Sequence, residues 1–190
     1  PIRLQGKFMA GKTMDDRAGV GVMFECLRTL RDMRHHADVY CVATVQEEVG
    51  VRGATTSTYG IVPDVGIAID VGFGDQSSVP EHQSISMDKG PGISIGPAVH
   101  RAIFERLKTI ASELEIPVQT DPSPYPGGTD AYAIQVARGG IPTGLVSIPL
   151  RYMHTAVETV CLADIERAGR LLAEFIVRLD KKYVEGLKCF

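Results

Sequence analysis

Short β-branched apolar runs alternate along this chain with longer stretches whose apolar residues recur every three or four positions. Residues 38–45, 65–71, 93–95 and 143–148 have the first pattern, and a short strand is expected from Val118, after Pro117. Between them lie helical patterns. After Asp15-Asp16-Arg17, the residues Val20, Met23, Phe24, Leu27 and Leu30 share one helix face. A helix fits residues 97–114, with Pro97 in its first turn and Ala98, Ile103, Leu107, Ile110, Ala111 and Leu114 as its stripe. Another fits 130–137, closed by Gly139-Gly140, and a last one 162–183. The alternation predicts an α/β fold: a three-layer sandwich with a mostly parallel central sheet covered by helices on both faces. A chain of 190 residues is long enough for one domain.

Composition narrows the partners. Hydrophobic residues are 44%, charged residues 23%, and the net charge is -3. No basic footprint points to nucleic acid. No apolar run approaches the roughly 20 residues that span a bilayer. The start, Pro1-Ile2-Arg3-Leu4, has neither an apolar signal region nor an initiator Met, so a chain processed or cut upstream is expected. Cys26, Cys41, Cys161 and Cys189 are scattered, without a C-x-x-C pair. They read as small hydrophobes of a reducing compartment, the cytoplasm, with Cys26 and Cys41 on core faces.

Acidic residues gather where the strands end. Asp15 and Asp16 precede the first helix, Glu47 and Glu48 follow the 38–45 run, Asp70 closes the 65–71 run, and His154 follows the 143–148 run. In open α/β sheets the carboxyl ends of strands form the ligand crevice. Several carboxylates in one cleft repel unless protonated or neutralised by cations. Carboxylate with imidazole suits zinc, cobalt or manganese. Each residue also has a plainer reading. Asp-Asp before a helix is often dipole-compensating charge, Glu-Glu a solvated pair, a lone Asp a turn cap and a lone His structural. His35 and His36 sit in a polar turn, and His82 and His100 lack an acidic partner motif.

The order of the motifs decides between these readings. Met14-Asp15-Asp16-Arg17-Ala18-Gly19, Gln46-Glu47-Glu48-Val49-Gly50, Ile69-Asp70-Val71, Gly127-Gly128-Thr129-Asp130-Ala131 and Arg151-Tyr152-Met153-His154-Thr155 follow one another. Together they resemble the tetrahedral aminopeptidase family of dinuclear-metal peptidases, over residues 11–179. That family includes glutamyl and deblocking aminopeptidases, some labelled cellulase M or endoglucanase. A glycosidase needs paired carboxylates but no His-bearing metal cluster, so the cellulase label carries little weight.

The resemblance implies a metal-dependent aminopeptidase with peptide substrates and two divalent metal ions, zinc foremost, cobalt or manganese otherwise. Asp15 would bridge the ions, and Asp16 would follow through a cis peptide and orient the site. Glu48 and His154 would bind one ion and Asp70 the other, with Glu47 as general base. Gly127 and Gly128 would let a peptide approach closely. Thr129 and Asp130 would line the cleft or cap the following helix. The family forms homo-oligomers, mostly dodecamers. It also has an early His-x-Asp strand, which supplies the second ion's imidazole, and an inserted β lid domain. Neither has a counterpart here, so the chain reads as the C-terminal part of the catalytic domain. About one bound ion and exposed apolar surface or sheet edge are then expected. The alternatives are a two-zinc amide hydrolase acting on acylated amino acids, or a catalytically incomplete fragment.

Overall fold

The structure is a computed structural model that describes residues 1–77, 79–125 and 127–187. In chain order the elements are β1 (Ile2–Arg3), β2 (Phe8–Gly11), α1 (Met14–Leu30), α2 (Arg52–Ile61), β3 (Gly66–Phe73), β4 (Gly92–Ile95), α3 (Arg101–Glu113), β5 (Gln119–Pro122), α4 (Asp130–Gln135), β6 (Thr143–Arg151), β7 (Glu158–Cys161), α5 (Leu162–Val177) and α6 (Lys181–Gly186).

Strand β6 organises the rest. It is buried along Thr143–Leu150 because both its faces carry apolar side chains. Val146, Ile148 and Leu150 pack in one core with Val22 and Cys26 of α1, Ile103 and Leu107 of α3, and Leu171 and Phe175 of α5. On the opposite face Leu145 packs with Ala68 of β3 beneath Ala131 of α4. Helices thus cover both faces, as the α/β reading requires. Among the described residues no helix is long and apolar enough to cross a membrane.

The sheet is mixed rather than mostly parallel. Its order is β1-β2-β7-β6-β4-β5, with β3 on the other edge of β6. β3–β6 and β4–β5 run parallel. β1–β2, β2–β7, β4–β6 and β6–β7 run antiparallel. The parallel expectation took every strand-to-strand connection for a helical crossover. The link from β6 to β7 is only six residues long, which permits a hairpin and not a crossover. Pro149 fits inside β6 because it falls between the stretch paired to β4 and the stretch paired to β7, where a missing N–H costs no ladder bond on that edge.

Other expectations change too. The buried face of α1 is Ala18, Val22, Cys26 and Leu30, while Phe24 and Leu27 are exposed and Val20 and Met23 are half-buried. The 97–114 helix begins at Arg101 instead: His100 is its N-cap, its Nδ1 accepting the Ala102 N–H. The 130–137 helix stops at Gln135. The 162–183 helix breaks after Val177, and Asp180 caps a new helix by accepting the Tyr183 N–H at 2.7 Å. Helix α2 went unread because Gly, Thr and Ser dominate it, and these are weak helix formers. It is anchored where the Gly53 N–H meets the Val45 carbonyl, and a Cβ on Gly53 would collide with the Val45 backbone.

The expected strand at 38–45 is not a strand. Among the described residues, 38–44 pair with no sheet neighbour, and Cys41, placed in the core by sequence, is exposed. A short β-branched apolar run fits a strand, but a strand also needs a partner for its backbone groups. β3 has β6 on one edge; on the other, among the described residues, Gly66–Gly72 form a free edge that pairs with no strand, and the Phe73 carbonyl accepts the Ile85 N–H. Between that free edge and residues 38–44 lies a cavity of about 490 Å³, lined by Val39, Val42, Ile67, Ile69, Val20 and Met23 among others. Cys189 lies outside the described residues.

Candidate metal centre

The acidic cluster forms at one end of this cavity, where four separate segments meet. Asp15 and Asp16 sit where β2 passes into α1, with non-helical backbone and a cis peptide between them, as the resemblance implied. The Asp16 Oδ1 accepts the Gly19 N–H at 2.8 Å, and only a glycine leaves room for that carboxylate to fold back. Glu47 and Glu48 occupy the turn before α2, where the Glu47 carbonyl accepts the N–H groups of Gly50 and Val51. Asp70 lies in β3, its Oδ1 accepting the Val71 N–H at 2.8 Å. His154 lies in the β6–β7 loop with a left-handed backbone, φ 59°.

Three of these groups converge. His154 Nε2 lies 3.2 Å from Asp15 Oδ2 and 3.4 Å from Glu48 Oε2. Their ligand atoms all fall within 4.8 Å of one another. A tetrahedral zinc ion with bonds of about 2.0–2.1 Å sets its ligand atoms about 3.3 Å apart. Donor types and spacing therefore fit one divalent ion with an open position. Asp70 falls outside this triplet, and among the described residues no histidine joins it. His35 contacts the Ala37 carbonyl, His82 contacts Gln83, and His100 caps α3.

Burial first, and mutual repulsion after it, raise the acids of the cluster. Burial, followed by the hydrogen bond and charge of Glu48, pushes Asp15 up to about 7. Burial, then the Asp70 charge, raises Asp16 to about 8. Burial raises Asp70 to about 7 against the opposing Val71 hydrogen bond. Glu47 rises to about 7 through burial, then the charges of Asp130 and Glu48. A bound cation would reverse the repulsive part of each shift.

Of the remaining sequence candidates, Asp130 lines the same cavity. Its Oδ2 accepts the Thr44 hydroxyl at 2.6 Å, and its buried Oδ1 has no partner among the described residues. Burial raises its pKa. Thr129 is the N-cap of α4 by position but makes no side-chain capping bond. Gly127 is exposed with φ 74°, and Gly128 is exposed with open space around its Cα. Sequence reasoning missed Thr44, whose run read only as a strand. It also missed Glu158, buried beside the ligands, which no motif spacing singled out. A second cluster, Asp88, Cys161 and Asp164, already has its cation: Arg167 pairs with both carboxylates at 2.9 Å, and Asp164 also accepts the N–H groups of Asp88 and Gly90.

The profile of the M42 glutamyl aminopeptidase family matches residues 1–171. A lysyl aminopeptidase of Pyrococcus furiosus is 38% identical over 186 residues, covering 98% of this chain and 51% of its own length. The crystal structure of a TET aminopeptidase from the marine sediment archaeon Thaumarchaeota archaeon SCGC AB-539-E09 superposes with a TM-score of 0.92 at 36% identity, over 99% of this chain and 54% of that one. The TET1 peptidase of Pyrococcus horikoshii, which can assemble into a tetrahedron or a large octahedral shell, superposes at 0.77 with 31% identity, over 93% and 52%. The chain spans about half the length of the curated relatives it matches.

Proposed function

The chain belongs to the M42 glutamyl aminopeptidase family, and from that premise we infer that it carries the catalytic part of a metal-dependent aminopeptidase that removes N-terminal residues from peptides. The observation that carries this reading is the convergence of Asp15, Glu48 and His154 at tetrahedral spacing. Those three would hold one divalent ion. Asp15 with Asp70 would hold a second, weakly, since two carboxylates without an imidazole make a poor zinc site. Bound divalent ions lower the pKa of water and polarise a carbonyl.

The chain's own residues supply the rest. Glu47 stands beside the ligands with a pKa raised to about 7 by burial, the range in which a carboxyl can both take and return a proton near neutrality. It would accept the proton of the attacking water and deliver it to the leaving amine. Asp16, tied to Gly19, holds Asp15 in orientation. Asp130, tied to Thr44, lines the cleft, with Gly127 and Gly128 at its approach. Assembly into a homo-oligomer and a cytoplasmic setting complete the reading, supported by the relatives' shells and by thiols that are free at Cys26 and Cys161.

The test combines metal analysis with turnover. After exhaustive dialysis the chain should retain about one zinc and cleave leucine- and glutamate-anilides little or not at all. Excess zinc or cobalt should fill the weak site by mass action and bring out cleavage that requires a free α-amine. Equal cleavage of N-acetylated anilides would favour the acyl-amino-acid hydrolase. No cleavage with both sites filled would leave the incomplete-fragment reading, which the missing imidazole partner of Asp70 favours. Two tightly held zincs with robust cleavage would show that a histidine read as structural completes the site.

A further inference from the structure

We propose that Glu158 is a positioning residue for the metal site, its one buried carboxylate fixing the backbone of two ligands that arrive from separate elements. The inference rests on the metal reading above. Glu158 is 3% exposed and opens β7, opposite Gly11 of β2. Its Oε2 accepts the Asp15 N–H at 3.1 Å, and its Oε1 accepts the His154 N–H at 3.1 Å. β7 is itself laddered to β2, which leads into Asp15, and to β6, which leads into His154. The ladder brings the two ligand segments close, and the carboxylate then sets their separation.

Two features make this more than satisfaction of loop amides. A buried carboxylate is costly to desolvate and is retained where its hydrogen bonds are complete. Here both oxygens accept from the backbone of residues whose side chains meet at 3.2 Å. His154 also has a left-handed backbone, φ 59°, a conformation a non-glycine residue keeps only when its surroundings hold it. The bond from its N–H to Glu158 is such a restraint. A carboxylate is acceptor-only, matched to two N–H donors. The isosteric amide would turn an NH₂ group toward one of them. Groups that orient metal ligands from outside typically contribute 10–100-fold to metal affinity.

The experiment is a cobalt(II) titration of the full 190-residue chain and its Glu158→Gln variant, read by visible absorption, with far-UV circular dichroism as the folding check. A folded Glu158→Gln chain should bind cobalt about 10–100-fold more weakly, with altered d–d bands reporting a changed ligand geometry. The same affinity and the same bands in the folded variant would overturn the proposal. Should the variant fail to fold, the unmodified chain decides: without metal, the amides of Asp15 and His154 should both be protected from hydrogen exchange. Free exchange of either would overturn the clamp. A parent chain that takes up no cobalt overturns the metal reading instead, and the exchange result still judges the clamp alone.

Discussion

Glu47 and Glu48 are adjacent yet differ in their surroundings. Glu48 reaches the imidazole of His154 at 3.4 Å, while Glu47 stays apart with its proton held up to about pH 7 by burial. Glu47→Gln should therefore keep its metal and lose about 10²–10⁴ of the rate seen with excess metal. Near-parental rates on leucine-anilide would remove Glu47 from the general-base role. The crowded acids also predict a pH dependence. Unfolded, the carboxyls of Asp15, Asp16, Asp70 and Glu47 titrate near pH 4. Folded, they keep their protons to about 7 or 8. Between these limits the native state binds more protons than the unfolded state, so stability falls as pH rises through the window. With chelator present, the thermal midpoint should be higher at pH 5 than at pH 8. Zinc should offset the loss at pH 8, because it binds the deprotonated ligands. A chelated chain that gains stability on going to pH 8 would contradict the cluster's electrostatics.

At the scale of elements, amide exchange separates real strands from strand-like sequence. Residues 38–44 should exchange as free chain while Val146 and Ile148 of β6 are strongly protected; protection of 38–44 to the level of β6 would mean that a partner strand exists. This segment also shows where sequence reading stops. β6, α3 and α5 were legible because their apolar residues are buried by elements of the same chain, so pattern and burial coincide. Residues 38–45 carry a valid strand pattern whose partner edge is empty, and Val20 and Met23 of α1 point into the same cavity. The outward face of α1 therefore looked like a core face. The antiparallel ladder of β2 and β7 was illegible because each strand has only four residues and the pairing joins distant parts of the chain. The candidate metal ligands were read through motif order, which survives an error in secondary structure. Glu158 acts through backbone amides, and no side-chain spacing betrays it.

At the scale of the whole molecule, the described residues present features that favour self-association: an edge of β3 unpaired over Gly66–Gly72 and exposed apolar side chains, Phe24 and Leu27 among them. Sedimentation at micromolar concentration should show oligomers or aggregates. A single monomeric species would count against this. The β2–β7 ladder sets a different constraint, one of time. It joins residues 8–11 to residues 158–161, and the contact of Asp15 with Glu158 spans 143 positions. Closing so long a loop is entropically costly and yields contacts only once both ends meet, so pairings of this kind form late. Two of the three converging ligands meet only through that closure. During refolding, metal uptake should lag the recovery of helical signal, which makes the metal centre a clock for the final step of folding.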